Sequence, residues 1–257
     1  MSDGPDLEDK VVLLTGASGG IGSVTAKLLL ARGARLVAHY GQDRAGVEAA
    51  CVDTPADRVL LVQADLAVRG ASRELWRKAL AWHGVVDVVV ANAAVALNLP
   101  FDSSDGDWDA AWERTFVVNV AEPANLIRAA LPHFLERRQG VLIAISSWAA
   151  QRGSALPAHT AYAASKAALQ NLTLSIARNH TADGVLAHVV APGIVHTRMS
   201  EISAAARGGI DAVHAILPLG EMVPPIEVAR LVTLLAGGSM RHLAGATIDL
   251  NGAANIR

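Results

Sequence analysis

A single cysteine, Cys51, is all the thiol this sequence carries. It excludes an intramolecular disulfide and fits a reducing compartment, so a cytoplasmic location is expected. Charge is also scarce. Only 18% of residues are charged and the net charge is −2, which leaves no electrostatic footprint for nucleic acid or an anionic membrane surface. No uncharged run approaches the ~20 apolar residues of a bilayer span. The first ten residues, MSDGPDLEDK, are acidic and lack an apolar stretch, so they do not read as a signal peptide. The nine histidines fall in no HExxH or HxH pattern, and no metal site is expected. There is no internal repeat and no low-complexity linker, so the 257 residues are read as one domain, 1–257.

What is present is apolar sequence, 52% of the chain, enough for a large core and for buried subunit contacts. Short apolar runs at 11–15, 35–40, 59–63, 86–91, 141–146, 186–191 and 247–250 read as strands. Between them, 23–32, 46–52, 72–83, 108–136, 161–180 and 226–235 carry helical patterns. Strands that alternate with helices in this way predict an α/β fold with a doubly wound parallel sheet. In such sheets a ligand sits outside the carboxyl ends of the strands. Those ends hold a glycine turn, Tyr40, Asp65, Asn92, Ser146-Ser147 and Pro192-Gly193, so the polar candidates converge on one edge.

The glycine turn is Gly16-Ala17-Ser18-Gly19-Gly20-Ile21-Gly22, placed between a buried strand and a helix. There it lets the backbone approach a diphosphate, with helix N–H groups facing it. Its spacing is not GxGxxG, and no GK[ST] follows, which argues against a nucleoside-triphosphate loop.

Tyr162 and Lys166 lie four positions apart, neighbours across one helical turn. A free phenol titrates near pH ~10. A cation about 4 Å away, worth roughly 4 kcal/mol at an effective dielectric of about 20, would depress that value by at most about three units. The phenol would then exchange protons near neutral pH, as general acid–base chemistry needs. Taken alone, the spacing equally fits a packed tyrosine and a solvated lysine.

With TGASGGIG, Asp65-Leu66, Asn92, Asn119, Ser147 and YAASK in this order, the chain resembles the short-chain dehydrogenase/reductase family from about Lys10 to Gly252, in its 3-oxoacyl-reductase-like branch. The resemblance implies a single-domain Rossmann fold with a seven-stranded parallel sheet and helices on both faces. It implies Ser147, Tyr162 and Lys166 as catalytic residues, with Asn119 in a local helix break supporting them through a water. Tyr162 would exchange a proton with the substrate oxygen while nicotinamide C4 exchanges hydride. Lys166 would hold the nicotinamide ribose, and Ser147 the substrate oxygen. For the cofactor it implies Gly16, Ser18, Gly20, Ile21 and Gly22 in the turn. Asp65, Leu66, Asn92 and Ala93 would lie along the adenosine, and Pro192, Gly193, Ile194, Val195 and Thr197 beyond the sixth strand. Family members are commonly homotetramers or homodimers, and the apolar faces of 108–136 and 161–180 are the natural interface.

Three departures from the family pattern stand out. The asparagine motif reads Ala91-Asn92-Ala93-Ala94, the late double glycine reads Gly252-Ala253, and the segment between Ser147 and Tyr162 is lengthened. At the end of the second strand, where an NAD enzyme carries an acid, Tyr40 stands instead, with Arg44 nearby as a phosphate partner. NADP(H) is therefore expected over NAD(H). A small-residue segment at about 195–220 reads as a substrate lid. The expected substrate pocket draws on Val95, Leu97, Trp148, Gln151, His159, Met199 and Ile202, with no cluster of arginines. The expectation is a small-molecule ketone or secondary alcohol of modest polarity: a 3-oxoacyl thioester, a cyclic ketone or a polyketide intermediate. The competing readings are a non-catalytic dinucleotide sensor, an NAD-dependent alcohol dehydrogenase, and a dehydratase or epimerase on the same fold.

Overall fold

In the computed structural model the chain is described from Leu7 to Ile256; the leading residues of the acidic N-terminal segment lie outside the described residues. Seven strands form one sheet: β1 Val11–Leu14, β2 Arg35–Tyr40, β3 Val59–Gln63, β4 Val88–Ala91, β5 Gly140–Ile145, β6 Val185–Pro192 and β7 Thr247–Leu250. Every pairing is parallel and the order is β3-β2-β1-β4-β5-β6-β7. The order reverses beside β1, where β1 pairs with both β2 and β4, and that reversal opens a crevice above the carboxyl ends of β1 and β4.

The strands are nearly unbroken runs of Val, Leu, Ile and Ala because both sheet faces are covered. Even-numbered Val12, Leu14, Leu36 and Ala38 pack on one face, with helices α1 Gly20–Ala31, α2 Arg44–Ala50 and the later Pro225–Ala236. Odd-numbered Val11, Leu13, Val37 and Val89 pack on the other, against α3 Ala71–His83, Glu122–Arg137 and the C-terminal half of Thr160–His180. Full burial of each such side chain contributes roughly 1.5–3 kcal/mol, so the two faces together hold the fold.

The long helix expected over 108–136 divides in three: α4 Asp105–Phe116, a π-helical stretch Val117–Ala121, and α5 Glu122–Arg137. The lengthened segment after β5 folds as a short α6 Ala149–Arg152 and a 3₁₀ turn, then enters α7 Thr160–His180. The 195–220 segment forms α8 Arg198–Ala205 and α9 Ile210–Ala215, held over Trp148 and Ile194 by a small cluster of Ala204, Val213, Leu217 and Met222. The last helix is α10 Pro225–Ala236. No described helix is long and apolar enough to cross a membrane.

Candidate active site

A cleft of about 570 Å³ runs along the carboxyl edge of the sheet, from the turn after β1 to the Tyr162–Lys166 face of α7. Its floor is shaped by missing side chains. A Cβ on Gly22 would sit 1.9 Å from the Gly16 carbonyl oxygen, and one on Gly16 would meet the Ala93 Cα at 3.0 Å. Gly16 also has φ of +70°, a conformation that any side chain strains. No side chain caps α1 and its first turn carries no acid, so its leading N–H groups face the cleft. This cradle fits a dinucleotide diphosphate.

Two residues outside the expected set build that cradle. Thr15 Oγ1 accepts from the backbone N–H groups of Asn92 (2.9 Å) and Ala93 (3.0 Å), and the Asn92 amide donates to the Thr15 carbonyl at 2.8 Å. These bonds tie the ends of β1 and β4 together and fix Asn92 and Ala93 against the cleft. His39 accepts from the Gly16 N–H at 3.0 Å and donates to the Ala64 carbonyl at 3.0 Å, bracing the turn from β2. Burial holds the imidazole below its ordinary pKa, so it is a neutral strut. The sequence signal for Thr15 was its place in TGASGGIG; a histidine at the end of a strand has no such signal. Ser18, Gly20, Ile21, Asp65, Leu66, Pro192, Gly193, Val195 and Thr197 all line the cleft. Asp65 also closes its own turn, accepting from Ala67 N–H at 2.9 Å, and Thr197 caps α8 by accepting from Ser200 N–H at 3.4 Å.

Several expectations need correction. Tyr40 does not reach the cleft: it is 4% exposed and packs in the core with Leu36 and Ala38. Residues 36, 38 and 40 share one face of β2, so the residue turned to the glycine loop is His39. Arg44 is not among the lining residues; it pairs with Glu48 at 2.8 Å. Ile194 lines a neighbouring substrate-side cavity rather than the dinucleotide cleft. The absence of an arginine cluster fails as well, because Arg152 and Arg207 both line that second cavity.

Ser147, Tyr162 and Lys166 come together where the two spaces meet. Ser146 is committed elsewhere: its hydroxyl donates to the Lys166 carbonyl at 3.1 Å. Lys166 is fully buried, lies 5.8 Å from the Tyr162 ring centroid, and donates to the Ile145 carbonyl at 2.7 Å. Burial dominates both titrations. It pushes the Tyr162 phenol up, with the Ser147 hydroxyl beside it pulling partly back, and it lowers the Lys166 ammonium to about 8. The depressed phenol expected from the spacing is thus not a property of the chain by itself, since desolvation of the phenolate outweighs an ammonium drawn toward a carbonyl.

Asn119 lies inside the π-helical stretch, as the expected helix break. Its amide accepts from Val95 N–H at 2.9 Å and donates to the Val95 carbonyl (2.9 Å) and Ser165 Oγ (3.0 Å). Ser165 Oγ in turn donates to the Tyr162 carbonyl at 2.7 Å. Asn119 therefore clamps the loop after β4 to the α7 turn that carries Tyr162, with its buried amide fully satisfied.

Beside the phenol, a smaller cavity of about 100 Å³ is lined by Trp148, His159 and Met199 along with the two arginines. Burial, then the nearby Arg207, holds His159 below its ordinary pKa. Val95 faces the larger cleft, while Leu97, Gln151 and Ile202 line neither space; Gln151 instead bonds Asp249 at 2.9 Å.

An open parallel sheet with a diphosphate cradle and a phenol, ammonium and hydroxyl at its carboxyl edge defines a nucleotide-binding α/β enzyme. The short chain dehydrogenase family matches residues 10–207 of the chain. The chain belongs to this family and is an oxidoreductase acting on CH–OH groups. It is similar to nodulation protein G of Rhizobium sp. (strain N33), 33% identical over 248 residues, covering 96% of this chain and 97% of that one. It is also similar to the 3-oxoacyl-[acyl-carrier-protein] reductase FabG of Thermotoga maritima, 30% identical over 252 residues, covering 96% and 98%. A short-chain dehydrogenase/reductase crystal structure from Brucella melitensis superposes with a TM-score of 0.86 at 28% identity, covering 99% of this chain and 100% of that one.

Proposed function

We propose that the chain transfers hydride between NADP(H) and a ketone or secondary alcohol, working chiefly as a carbonyl reductase. The observation that carries this reading is the meeting of Ser147, Tyr162 and Lys166 on the cleft that begins at the glycine turn. When bound, the dinucleotide supplies or accepts the hydride at its nicotinamide. The chain's own residues handle the proton and the charge. Tyr162 donates the proton to the nascent alkoxide in reduction and accepts it in oxidation. Ser147 hydrogen-bonds the substrate oxygen and favours its anionic character. Lys166 keeps a positive charge beside the phenol and holds the ribose, and Asn119 positions the α7 turn. The 195–220 segment closes over the substrate as a lid and excludes water. A dinucleotide sensor would have no use for this proton-transfer set, and neither a dehydratase nor an epimerase would release net alcohol at the expense of reduced cofactor.

NADP(H) is the preferred cofactor in this proposal because no carboxylate occupies position 39 or 40, and the first two residues after the strand to line the cleft, Gly41 and Gln42, are uncharged. One observation favours NAD(H): Asp43 also lines that end, and Arg44 turns away to Glu48. The Asp43 carboxylate is engaged in capping α2 through Gly46 N–H at 2.8 Å, which limits its reach. The expected assembly is a homotetramer or homodimer through the α4–α5 and α7 faces, in the cytoplasm. Following NADPH and NADH absorbance over a panel of ketones tests the reading. Consumption of reduced cofactor with stoichiometric alcohol is expected, with NADPH giving the higher kcat/KM. A chain that binds cofactor but reduces no ketone would refute the reaction, and a higher kcat/KM with NADH would refute the cofactor assignment.

A further inference from the structure

The cavity next to Tyr162 holds a feature that no catalytic duty uses. Arg152, at the end of α6, lies with its guanidinium carbon 4.0 Å from the Trp148 ring centroid. Arg207, just after α8, lines the same cavity. Neither forms an ion pair among the described residues. Two acids on the surrounding segments are bonded elsewhere: Asp249 to Gln151 at 2.9 Å, and Glu201 to His196 at 3.3 Å. The Nε of Arg207 is buried with no hydrogen-bond partner. Burial, and then the charge of Arg152, lowers the Arg207 pKa.

A buried donor without an acceptor is costly unless something completes it, and the exposed Arg152 guanidinium on the same cavity makes an anion the fitting partner. The stacked Arg152 presents a rigid, planar fork, the geometry that matches a carboxylate with paired N–H bonds. His159, which lines the same cavity with its pKa held below the ordinary value by burial, adds a ring that offers a further hydrogen bond. Ser147 and Tyr162 line this cavity too, so a group held by the arginines belongs to the molecule whose oxygen they face.

We infer that the substrate is an oxo acid or hydroxy acid whose carboxylate lies between Arg152 and Arg207 while its carbonyl or carbinol oxygen faces Ser147 and Tyr162. This rests on the hydride-transfer reading and narrows its substrate class. The two arginines come from the lengthened segment before α7 and from the lid, so the carboxylate also draws the lid down onto the site. An unbranched ketone of modest polarity would leave both guanidiniums unmet.

The test compares 4-oxopentanoate and 4-oxocyclohexanecarboxylate with their methyl esters. In the wild-type chain the acids should exceed the esters in kcat/KM by about tenfold to a hundredfold, the range expected of charge-assisted hydrogen bonds. Arg152→Gln and Arg207→Gln should each erase most of that preference by raising KM for the acids, with kcat and the ester kinetics near wild type. Arg207→Lys should recover part of it. Equal kcat/KM for acid and ester in the wild type would overturn the inference, as would acid and ester falling together in both variants. A second readout needs no turnover: calorimetric binding of the acids and esters to the Tyr162→Phe chain loaded with reduced cofactor. Tighter binding of the acids that disappears with Arg207→Gln supports the carboxylate site, and no acid–ester difference refutes it. A chain inert to every ketone that still binds the acids through the arginines refutes the hydride-transfer reading alone.

Discussion

Ser146 and Ser147 are adjacent in sequence and differ in everything that follows from their hydroxyls. Ser146 bonds the Lys166 carbonyl and steadies α7, whereas Ser147 lies against the phenol and faces both cavities. Ser147→Ala should lower kcat by about 10²–10³-fold, the loss seen when one donor to a developing oxyanion is removed. Ser146→Ala should cost about 1 kcal/mol of stability with a far smaller effect on kcat, measurable by urea unfolding and steady-state rates. The phenol carries a second prediction at this scale. Since burial raises its pKa, it is protonated at neutral pH, the form that reduction needs and oxidation does not. Below about pH 8, where Lys166 keeps its charge, alcohol oxidation should therefore accelerate as pH rises while ketone reduction stays nearly flat; parallel pH profiles of kcat/KM check it. At this scale resemblance and order picked out Ser147, Tyr162 and Lys166, which the fold brings onto one cleft. The sequence misplaced Tyr40 because strand alternation alone does not say which face of β2 meets the glycine loop. It missed His39 for the same reason.

The α4–α5 region shows what an element-level reading captures. An asparagine inside an apolar helical run demanded partners, and the π-helical stretch Val117–Ala121 supplies them by turning Asn119 onto Val95 and Ser165. The neighbouring Glu122 was not foreseen, because its partners lie on another helix. It accepts from Gly70 N–H (2.6 Å), Ser72 N–H (2.8 Å) and Ser72 Oγ (2.7 Å), at the start of α3. Gly70 has no side chain to cap that helix, so Glu122 caps it from α5. Burial alone would raise the carboxyl's pKa; these donors, with Asn125, outweigh it and hold the group below its ordinary range. Glu122→Ala should destabilise the chain at pH 7 by about 2–4 kcal/mol through unmet buried donors. A depressed carboxylate contributes stability above its unfolded pKa and loses it as pH falls through the folded value. The gap between wild type and variant should therefore narrow below pH ~4, which denaturant titrations at several pH values would measure.

For the molecule as a whole, every strand was legible because a parallel sheet covered on both faces writes itself as apolar runs, and alternation with helices fixed the doubly wound class. The convergence of polar residues on the carboxyl edge followed from that class. What remained hidden was contact between segments far apart in sequence. Arg152 and Arg207 meet only because α6 and α8 fold over the same edge, and a sequence without an arginine run gives no sign of it. The short helices of the 195–220 segment were equally obscure, since their small cluster with Trp148 and Ile194 exists only in three dimensions.

The proposed hydride transfer depends on a buried phenol as its proton carrier in one shared cleft. Tyr162→Phe removes that hydroxyl and little else, so the decisive measurement is ketone turnover beside the Kd for NADPH in wild type and variant. A fall in kcat of at least about 10³-fold with Kd changed less than a few-fold is the predicted result. Turnover in the variant within tenfold of wild type would contradict the account.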